Sequence, residues 1–208
     1  MMKKQDLPTI ADLNLNIDLA RLQAECDALA EKFVDVRTAN PMLCDNHMEL
    51  VKSVYDNFEQ INLTTPSEVL PYTASIKERL RRREEHLYNV PTEEYTGSVF
   101  EEIVTQCKAP ASRVRITKLA PGKEIPFHVD YDVGYAVRCI CPIYTNEMVI
   151  NQFKRDGEIE EYHLEAGKAY FLNIGYPHSV LNKSDQPRIA LMFSLDGTDD
   201  LESLSNSQ

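Results

Sequence analysis

From residue 113 onward the chain is a succession of short segments in which apolar and polar residues alternate. Such alternation is typical of β-strands that bury one face. The predicted strands are residues 113–118, 134–144, 148–154, 158–164, 168–173, 178–182 and 187–195. Turn signals separate them, among them Pro121-Gly122 and Asp156-Gly157, where glycine supplies the positive φ of a tight turn. Short strands with tight turns between them predict an antiparallel barrel or jelly roll.

The first half of the chain has helical periodicity instead. Apolar residues recur at steps of three and four between residues 15 and 33, which predicts an amphipathic helix. A second helix, ending before Thr64, is predicted from Leu50, Val51, Val54, Phe58 and Ile61. Further helices are predicted over residues 75–88 and 99–107.

We therefore expect one compact unit made of three parts. Residues 1–97 are predicted to form a helical layer, residues 98–197 a β core, and residues 198–208 an acidic, polar and loosely ordered tail. The expected fold class is mainly β with a helical layer, or α+β.

A histidine and an aspartate two positions apart, His128 and Asp130, follow the first glycine turn. Alternate residues of a strand point to the same side, so their imidazole and carboxylate can meet. His178 follows another turn and can supply a third ligand. Two imidazoles and one carboxylate leave three positions of an octahedral Fe(II) free for a chelating co-substrate and dioxygen. A His-x-Asp pair alone is weak evidence, because such pairs arise by chance.

Arg188 strengthens this interpretation. It follows His178 by ten positions, in a segment that is predicted to be a strand. A guanidinium binds a carboxylate through two parallel hydrogen bonds, which a lysine does less well. Arg188 therefore suggests a dicarboxylate co-substrate.

The order and spacing of four segments resemble the aspartyl/asparaginyl β-hydroxylase-like branch of the Fe(II)- and 2-oxoglutarate-dependent oxygenases. The segments are 115–119 with Pro121-Gly122, 125–130, 138–146, and 178–182 with Arg188. The resemblance covers about residues 112–196. It implies a double-stranded β-helix, a cupin-like jelly roll, with the N-terminal helices packed on one sheet.

The resemblance also implies roles for individual residues. His128, Asp130 and His178 would bind Fe(II), and Arg188 would bind the distal carboxylate of 2-oxoglutarate with help from Thr117. Arg138 would lie near the other end of the co-substrate. The implied reaction uses O2 to hydroxylate an unactivated carbon and releases succinate and CO2. The complete triad favours hydroxylation over halogenation, which needs a ligand position vacated for halide.

One position departs from the family pattern. Where family members have a histidine two residues after the arginine, this chain has Ile140. That histidine helps to hold the inner carboxylate of the co-substrate, so the way in which this chain holds that carboxylate is open. The substrate is open too: a free amino acid such as proline, or a peptide residue. Tyr131, Asp132, Tyr135 and Asn146 are expected to line its pocket because they lie near the motif.

Two other classes of protein remain as alternatives. A cupin-like lyase or isomerase could hold Zn or Mn at the same triad, but it has no use for Arg188. A non-catalytic binding domain on this fold would leave His and Asp side chains converging without a metal, which is costly.

The composition excludes some partners. A formal net charge of −11 argues against nucleic acids and anionic membranes, which reward surplus Lys and Arg. No apolar run has the length of a membrane span, and the start does not read as a secretory signal. We therefore expect a cytosolic protein whose partner is a small-molecule or peptide substrate.

Two further patterns have simple interpretations. The basic cluster over residues 77–85 could bind an anionic partner, but it is predicted to be a solvated helix face with paired Arg and Glu, and His86 is assigned to it. The five cysteines are an odd number at irregular spacing and do not form a disulfide framework. Cys139 and Cys141 are predicted to pack against covering helices if Arg138 and Ile140 point into the barrel.

Overall fold

The computed structural model describes residues 3–40, 42, 58–71, 73–202 and 204. The strands within these residues are β1 (Ile10–Asp12), β2 (Val34–Asp35), β3 (Phe58–Asn62), β4 (Thr64–Thr65), β5 (Val90–Pro91), β6 (Ala111–Leu119), β7 (Glu124–His128), β8 (Val137–Tyr144), β9 (Val149–Arg155), β10 (Glu158–Tyr162), β11 (Tyr170–Leu172), β12 (His178–Asn182) and β13 (Arg188–Leu195). The α-helices are α1 (Leu19–Ala28), α2 (Val36–Ala39), α3 (Ile76–Arg81), α4 (Glu84–Leu87) and α5 (Val99–Val104). Short 3-10 turns cover Lys4–Asp6, Ala30–Lys32 and Asp199–Leu201.

Two antiparallel sheets form the body of the molecule. The larger sheet has the strand order β1-β11-β8-β13-β6-β3-β2, and the smaller has the order β10-β9-β12-β7. Side chains from both sheets share one apolar cluster, in which Ile140 and Ala190 of the larger sheet join Phe153 of the smaller. The expected double-stranded β-helix is therefore confirmed.

The larger sheet buries both of its faces. Its inner face carries Arg138 and Ile140 toward the smaller sheet. On its outer face, Cys139 and Cys141 pack in a core that also contains Cys26 of α1 and Phe100 of α5. Alternation along β8 produces this division, because successive residues of a strand point to opposite sides. The predicted packing of the two cysteines against covering helices is confirmed.

The second predicted helix is wrong where the structure describes it. Phe58 and Ile61 belong to strand β3, which pairs with β6 so that Gln60 lies opposite Thr117. Apolar residues three and four apart suggested a helix, but pairing with a distant strand decided the conformation. Residues 43–57, which include most of the predicted helix, lie outside the described residues.

The other helices are shorter than predicted. Helix α1 begins after Asp18, whose side chain accepts a hydrogen bond from the Arg21 backbone, and it ends at Ala28. The helix predicted over residues 75–88 is divided into α3 and α4 by Arg83, which has a left-handed backbone with φ of +52°. No helix in the described part of the chain is long and apolar enough to cross a membrane.

Part of the expected loose tail is packed. Leu201 is fully buried, and the carboxylate of Asp200 accepts hydrogen bonds from the backbone amides of Lys108 and Ala109. Leu201 and Asp200 together hold this segment against the β core, because one buries an apolar side chain and the other satisfies two backbone amides. The prediction is therefore wrong up to residue 202, and residues 203 and 205–208 lie outside the described residues.

Candidate metal centre and arginine-lined cavity

Three residues predicted as ligands meet at one edge of the smaller sheet. His128 ends β7 and His178 begins β12, and the register places them directly opposite each other. Their ring centroids are 4.2 Å apart. Oδ1 of Asp130 lies 3.7 Å from Nε2 of His128. One candidate ligand atom from each of the three residues lies within 4.8 Å of the others, so the group could hold a metal ion.

Backbone carbonyls fix the orientation of both imidazoles. Nδ1 of His128 lies 2.9 Å from the Pro126 carbonyl, and Nδ1 of His178 lies 3.1 Å from the Tyr176 carbonyl. Because a carbonyl only accepts, each Nδ1 must carry the proton, which leaves the Nε2 lone pair for a metal. Burial, assisted by the neighbouring His128, lowers the pKa of His178 to about 4. The imidazole is therefore neutral at pH 7, which is the form that binds metals.

The three residues open into a cavity of about 690 Å³ between the two sheets. Apolar side chains form part of its wall, among them Phe153, whose ring stacks on His178. Five arginines also line it: Arg79, Arg113, Arg115, Arg138 and Arg188. Such a concentration of guanidinium groups is unusual inside a protein with a net charge of −11.

Arg188 lies at the start of β13, opposite Leu119 of β6. Arg188 is only 3% exposed, and its Nη1 has no hydrogen-bond partner within the described residues. Burial lowers the pKa of Arg188 to about 10, and no carboxylate of the described residues opposes the shift. An unpartnered buried guanidinium facing a cavity is costly unless a ligand supplies the negative charge.

Arg138 lies nearer the candidate ligands. Its Nη2 donates a hydrogen bond of 2.9 Å to Glu85 and lies 3.9 Å from Oδ2 of Asp130. Nε and Nη1 of Arg138 are buried, and neither has a partner in the part of the chain that the structure describes. Two donor atoms of Arg138 are therefore available for an acceptor that enters the cavity.

Glu85 of helix α4 is the fully buried carboxylate that balances this region. It accepts hydrogen bonds from Arg113 at 2.8 Å and from the Ser194 hydroxyl at 2.7 Å, besides the one from Arg138. Arg113 sits where the β6–β13 register shifts, with φ of +48°, and such irregularities re-aim side chains. Burial would raise the pKa of Glu85, but the surrounding guanidinium groups outweigh it and hold the pKa below its usual range.

The prediction that residues 77–85, with His86, form a solvated helix face is therefore wrong at three positions. Arg79, Glu85 and His86 are all buried. His86 bridges the Ser112 hydroxyl and the Tyr135 carbonyl, at 3.0 and 2.7 Å. The charge pattern alone could not reveal this, because it does not show that the short helix α4 packs against β6.

Thr117 and Ile140 offer no free hydrogen-bond donor to a ligand in the cavity, in contrast to Arg138 and Arg188. The Thr117 hydroxyl is buried and donates to the Ala190 carbonyl at 3.2 Å, and its side chain lies outside the cavity lining. Ile140 lines the cavity and offers no hydrogen bond there. Of the four residues expected in the pocket from their position, Tyr131 and Tyr135 line it, whereas Asp132 and Asn146 do not.

Two antiparallel sheets enclosing a cavity with two histidines and an aspartate define a double-stranded β-helix with a candidate metal centre. The family model described as aspartyl/asparaginyl beta-hydroxylase matches residues 51–197, which is more than half of the chain. The chain therefore belongs to the aspartyl/asparaginyl β-hydroxylase family.

Solved structures give more distant likenesses. A prolyl-4-hydroxylase from Pseudomonas putida is 12% identical, covers 90% of this chain and 91% of its own, and has a TM-score of 0.49. An oxidoreductase of the 2OG-Fe(II) oxygenase family from Burkholderia pseudomallei is also 12% identical, with 67% of each chain covered and a TM-score of 0.41. A cupin domain from Bordetella pertussis is 18% identical over 42% of this chain and 82% of its own, with a TM-score of 0.33. A sequence comparison with curated proteins finds no match.

Proposed function

We propose that this protein is an Fe(II)- and 2-oxoglutarate-dependent dioxygenase that hydroxylates an unactivated carbon. The substrate class is a free amino acid such as proline, with a peptide residue as the second choice, and the co-products are succinate and CO2. One observation supports the proposal above all others. A convergent His-Asp-His group faces the same cavity as Arg188, a buried arginine that has no partner among the described residues.

His128, Asp130 and His178 would hold the iron. The Nε2 atoms of both imidazoles are free, and a single carboxylate completes a facial set of the kind that non-haem Fe(II) oxygenases use. When bound, the iron and its co-substrate supply the activation of dioxygen. His128 and Asp130 are partly exposed, so the site can be reached from solvent.

Arg188 would hold the distal carboxylate of 2-oxoglutarate. Its planar guanidinium can donate two parallel hydrogen bonds, and its burial makes each of them stronger than in water. Thr117 would assist from the neighbouring strand by fixing the backbone at Ala190, to whose carbonyl it donates. This contact would position Arg188 indirectly, since Ala190 is two residues away on the same strand.

Arg138 would take over the role that the family pattern assigns to a histidine at position 140. Its Nε and Nη1 are buried without partners, and its Nη2 is close to Asp130. A carboxylate bound beside Asp130 would satisfy these donors. Ile140 and Phe153 would then exclude water around the reacting carbon, which strengthens the electrostatic contacts and protects reactive species.

A turnover assay tests the proposal. The protein is incubated in air with Fe(II), ascorbate, 2-oxoglutarate and pools of L-amino acids or peptides, and succinate and hydroxylated products are measured by NMR and mass spectrometry. We expect product formation that requires both Fe(II) and O2, and a loss of at least about 100-fold in Asp130→Asn. Product that forms with Zn(II) and without O2 would overturn the proposal in favour of a non-redox lyase or isomerase.

A further inference from the structure

Arg115 is a second cation of the cavity that lacks a carboxylate partner. It lies on β6 opposite Met192 of β13, lines the cavity and is 9% exposed. Its guanidinium donates to the Arg113 backbone carbonyl and contacts the Met192 sulfur, both at 3.2 Å. Both acceptors are uncharged. Burial, and then the neighbouring Arg138 and Arg113, lower the pKa of Arg115 well below its usual value, and the more distant carboxylates of Glu85 and Asp130 oppose this shift only in part.

The carboxylates that line the cavity are already engaged by other groups. Glu84 pairs with Arg79 at 3.0 Å. Glu85 is shared by Arg113 and Arg138, at 2.8 and 2.9 Å.

The third carboxylate, Asp130, belongs to the proposed metal centre. Within the described residues, Arg115 and Arg188 are therefore left without carboxylate partners. Two separate guanidinium groups without a direct ion pair inside one cavity indicate two separate anionic groups.

The proposed co-substrate can compensate only part of this excess. Arg188 pairs with Leu119, whereas Arg115 pairs with Met192, so the two arginines lie four residues apart along the strands. Four residues of a strand span about 13 Å. A carboxylate held by both donors of Arg188 therefore leaves Arg115, whose backbone lies four strand positions away, for a separate anion. Under the proposed function, the other carboxylate of 2-oxoglutarate would bind beside Arg138 at the metal held by His128, Asp130 and His178.

We propose that Arg115 binds a carboxylate of the substrate, and that the substrate is consequently a small molecule with a free carboxylate. This inference rests on the proposed function and narrows it. An amino acid with a free α-carboxylate fits the site, and an internal peptide residue with a neutral side chain does not. Arg115 is a binding residue in this account, since its guanidinium touches the substrate at a carboxylate remote from the reacting carbon.

The test compares the binding of free amino acids with that of their carboxamides to the protein that already carries Fe(II) and 2-oxoglutarate. The anaerobic Fe(II) and 2-oxoglutarate complex is titrated with each common L-amino acid and with the corresponding carboxamide, and binding is measured by the change in the visible band and in melting temperature. We expect at least one acid to bind wild type and its carboxamide to bind at least about 30-fold more weakly, as a lost charge-assisted contact predicts.

Variants of Arg115 identify the residue responsible. Arg115→Gln should weaken the acid by a similar factor and leave the carboxamide unchanged, and Arg115→Lys should restore part of the preference. Arg82→Gln, which changes an exposed arginine, serves as the matched control and should alter nothing. Circular dichroism checks that each variant is folded, and the acid–amide comparison in wild type stands even where a variant does not fold.

Several results would overturn the inference. One is an acid that binds Arg115→Gln as tightly as wild type, and another is the failure of every free acid to bind the loaded wild-type protein. Loss of the visible iron band in Arg115→Gln before any amino acid is added would assign Arg115 to the co-substrate instead. Failure of the proposed function is distinguishable, because wild type itself would then lack the band, which removes the basis of both proposals.

Discussion

Nη2 of Arg138 lies 3.9 Å from Oδ2 of Asp130, so a cation of the larger sheet approaches a candidate metal ligand. The same nitrogen donates to Glu85 of helix α4 at 2.9 Å. A chain of charged contacts therefore runs from the helical layer to the candidate metal centre. Helix α4 therefore contributes to the wall of the cavity, although it precedes the β core in sequence.

Replacing Glu85 by Gln is expected to destabilise the protein strongly. The variant leaves the buried Arg138 and the partly buried Arg113 beside a neutral amide, and breaking one partner of a buried charge network costs about 3–5 kcal/mol. Urea unfolding measures the difference. Glu158→Gln, at an exposed position of β10, is the control and should change the free energy of unfolding by less than about 0.5 kcal/mol. An equally small effect of Glu85→Gln would contradict the assignment of Glu85 as the counter-charge.

The pH dependence of that difference follows from the lowered pKa of Glu85. A carboxyl group with a lowered folded-state pKa gives its full stabilisation above the unfolded-state pKa of about 4.3 and loses it as the pH falls toward the folded-state value. The gap between wild type and Glu85→Gln should therefore stay constant between about pH 8 and pH 5, and shrink below about pH 4. Urea unfolding over this pH series tests the sign, and a gap that shrinks near neutral pH is the opposite result.

Arg188→Met should stabilise the metal-free protein and weaken its binding of 2-oxoglutarate. The free energy of unfolding of the metal-free protein is expected to rise by about 1–3 kcal/mol, because an unpartnered buried charge is removed. The affinity for 2-oxoglutarate should fall by at least about 100-fold, since the charged anchor is lost. Denaturant unfolding and co-substrate titration measure the two effects. A variant that is less stable and still binds 2-oxoglutarate normally would assign Arg188 a structural role.

Thr117→Val tests whether the Thr117 hydroxyl contacts 2-oxoglutarate directly or only supports the strand that carries Arg188. Because the hydroxyl already donates to the Ala190 carbonyl, its loss should cost about 1 kcal/mol of stability and less than about tenfold in 2-oxoglutarate affinity. Thr117→Ser keeps the donor and should behave as wild type. If Thr117→Val weakens 2-oxoglutarate as much as Arg188→Met does, the hydroxyl turns to the ligand when it binds.

The buried thiols should be inert in the folded protein. Burial raises the pKa of Cys26 and Cys141 to about 12 and that of Cys139 well above its usual value, so the reactive thiolate is scarce at neutral pH. Alkylation followed by peptide mapping should label these three only after unfolding. Rapid native labelling of Cys139 or Cys141 would contradict their packing against the helices.

Much of the fold was predictable because the sequence pattern is local. Alternation identified strands β8 to β13 with small errors at their ends, and it also placed Arg115 and Thr117 on one face of β6. The two-residue spacing of His128 and Asp130, with His178 after a turn, identified three residues that the structure does place together, although Asp130 lies just beyond the end of β7.

What could not be predicted depends on contacts between distant segments. Strand β3 was taken for a helix because its conformation follows from pairing with β6, which its own residues do not reveal. Glu85 was overlooked because a carboxylate in a charged run normally faces water, and only the packing of α4 against β6 buries it beside Arg113 and Arg138. The absence of a carboxylate partner for Arg115 and Arg188 among the described residues is likewise a property of the assembled cavity.

The central claim is that 2-oxoglutarate chelates an iron held by His128, Asp130 and His178. The most direct measurement is an anaerobic titration of the metal-free protein with Fe(II) and 2-oxoglutarate, observed through the weak visible charge-transfer band of the chelate. We expect a band that saturates at one equivalent of Fe(II) and one of 2-oxoglutarate and that is absent in His178→Ala. Iron binding without such a band in wild type, or an undiminished band in His178→Ala, would contradict it.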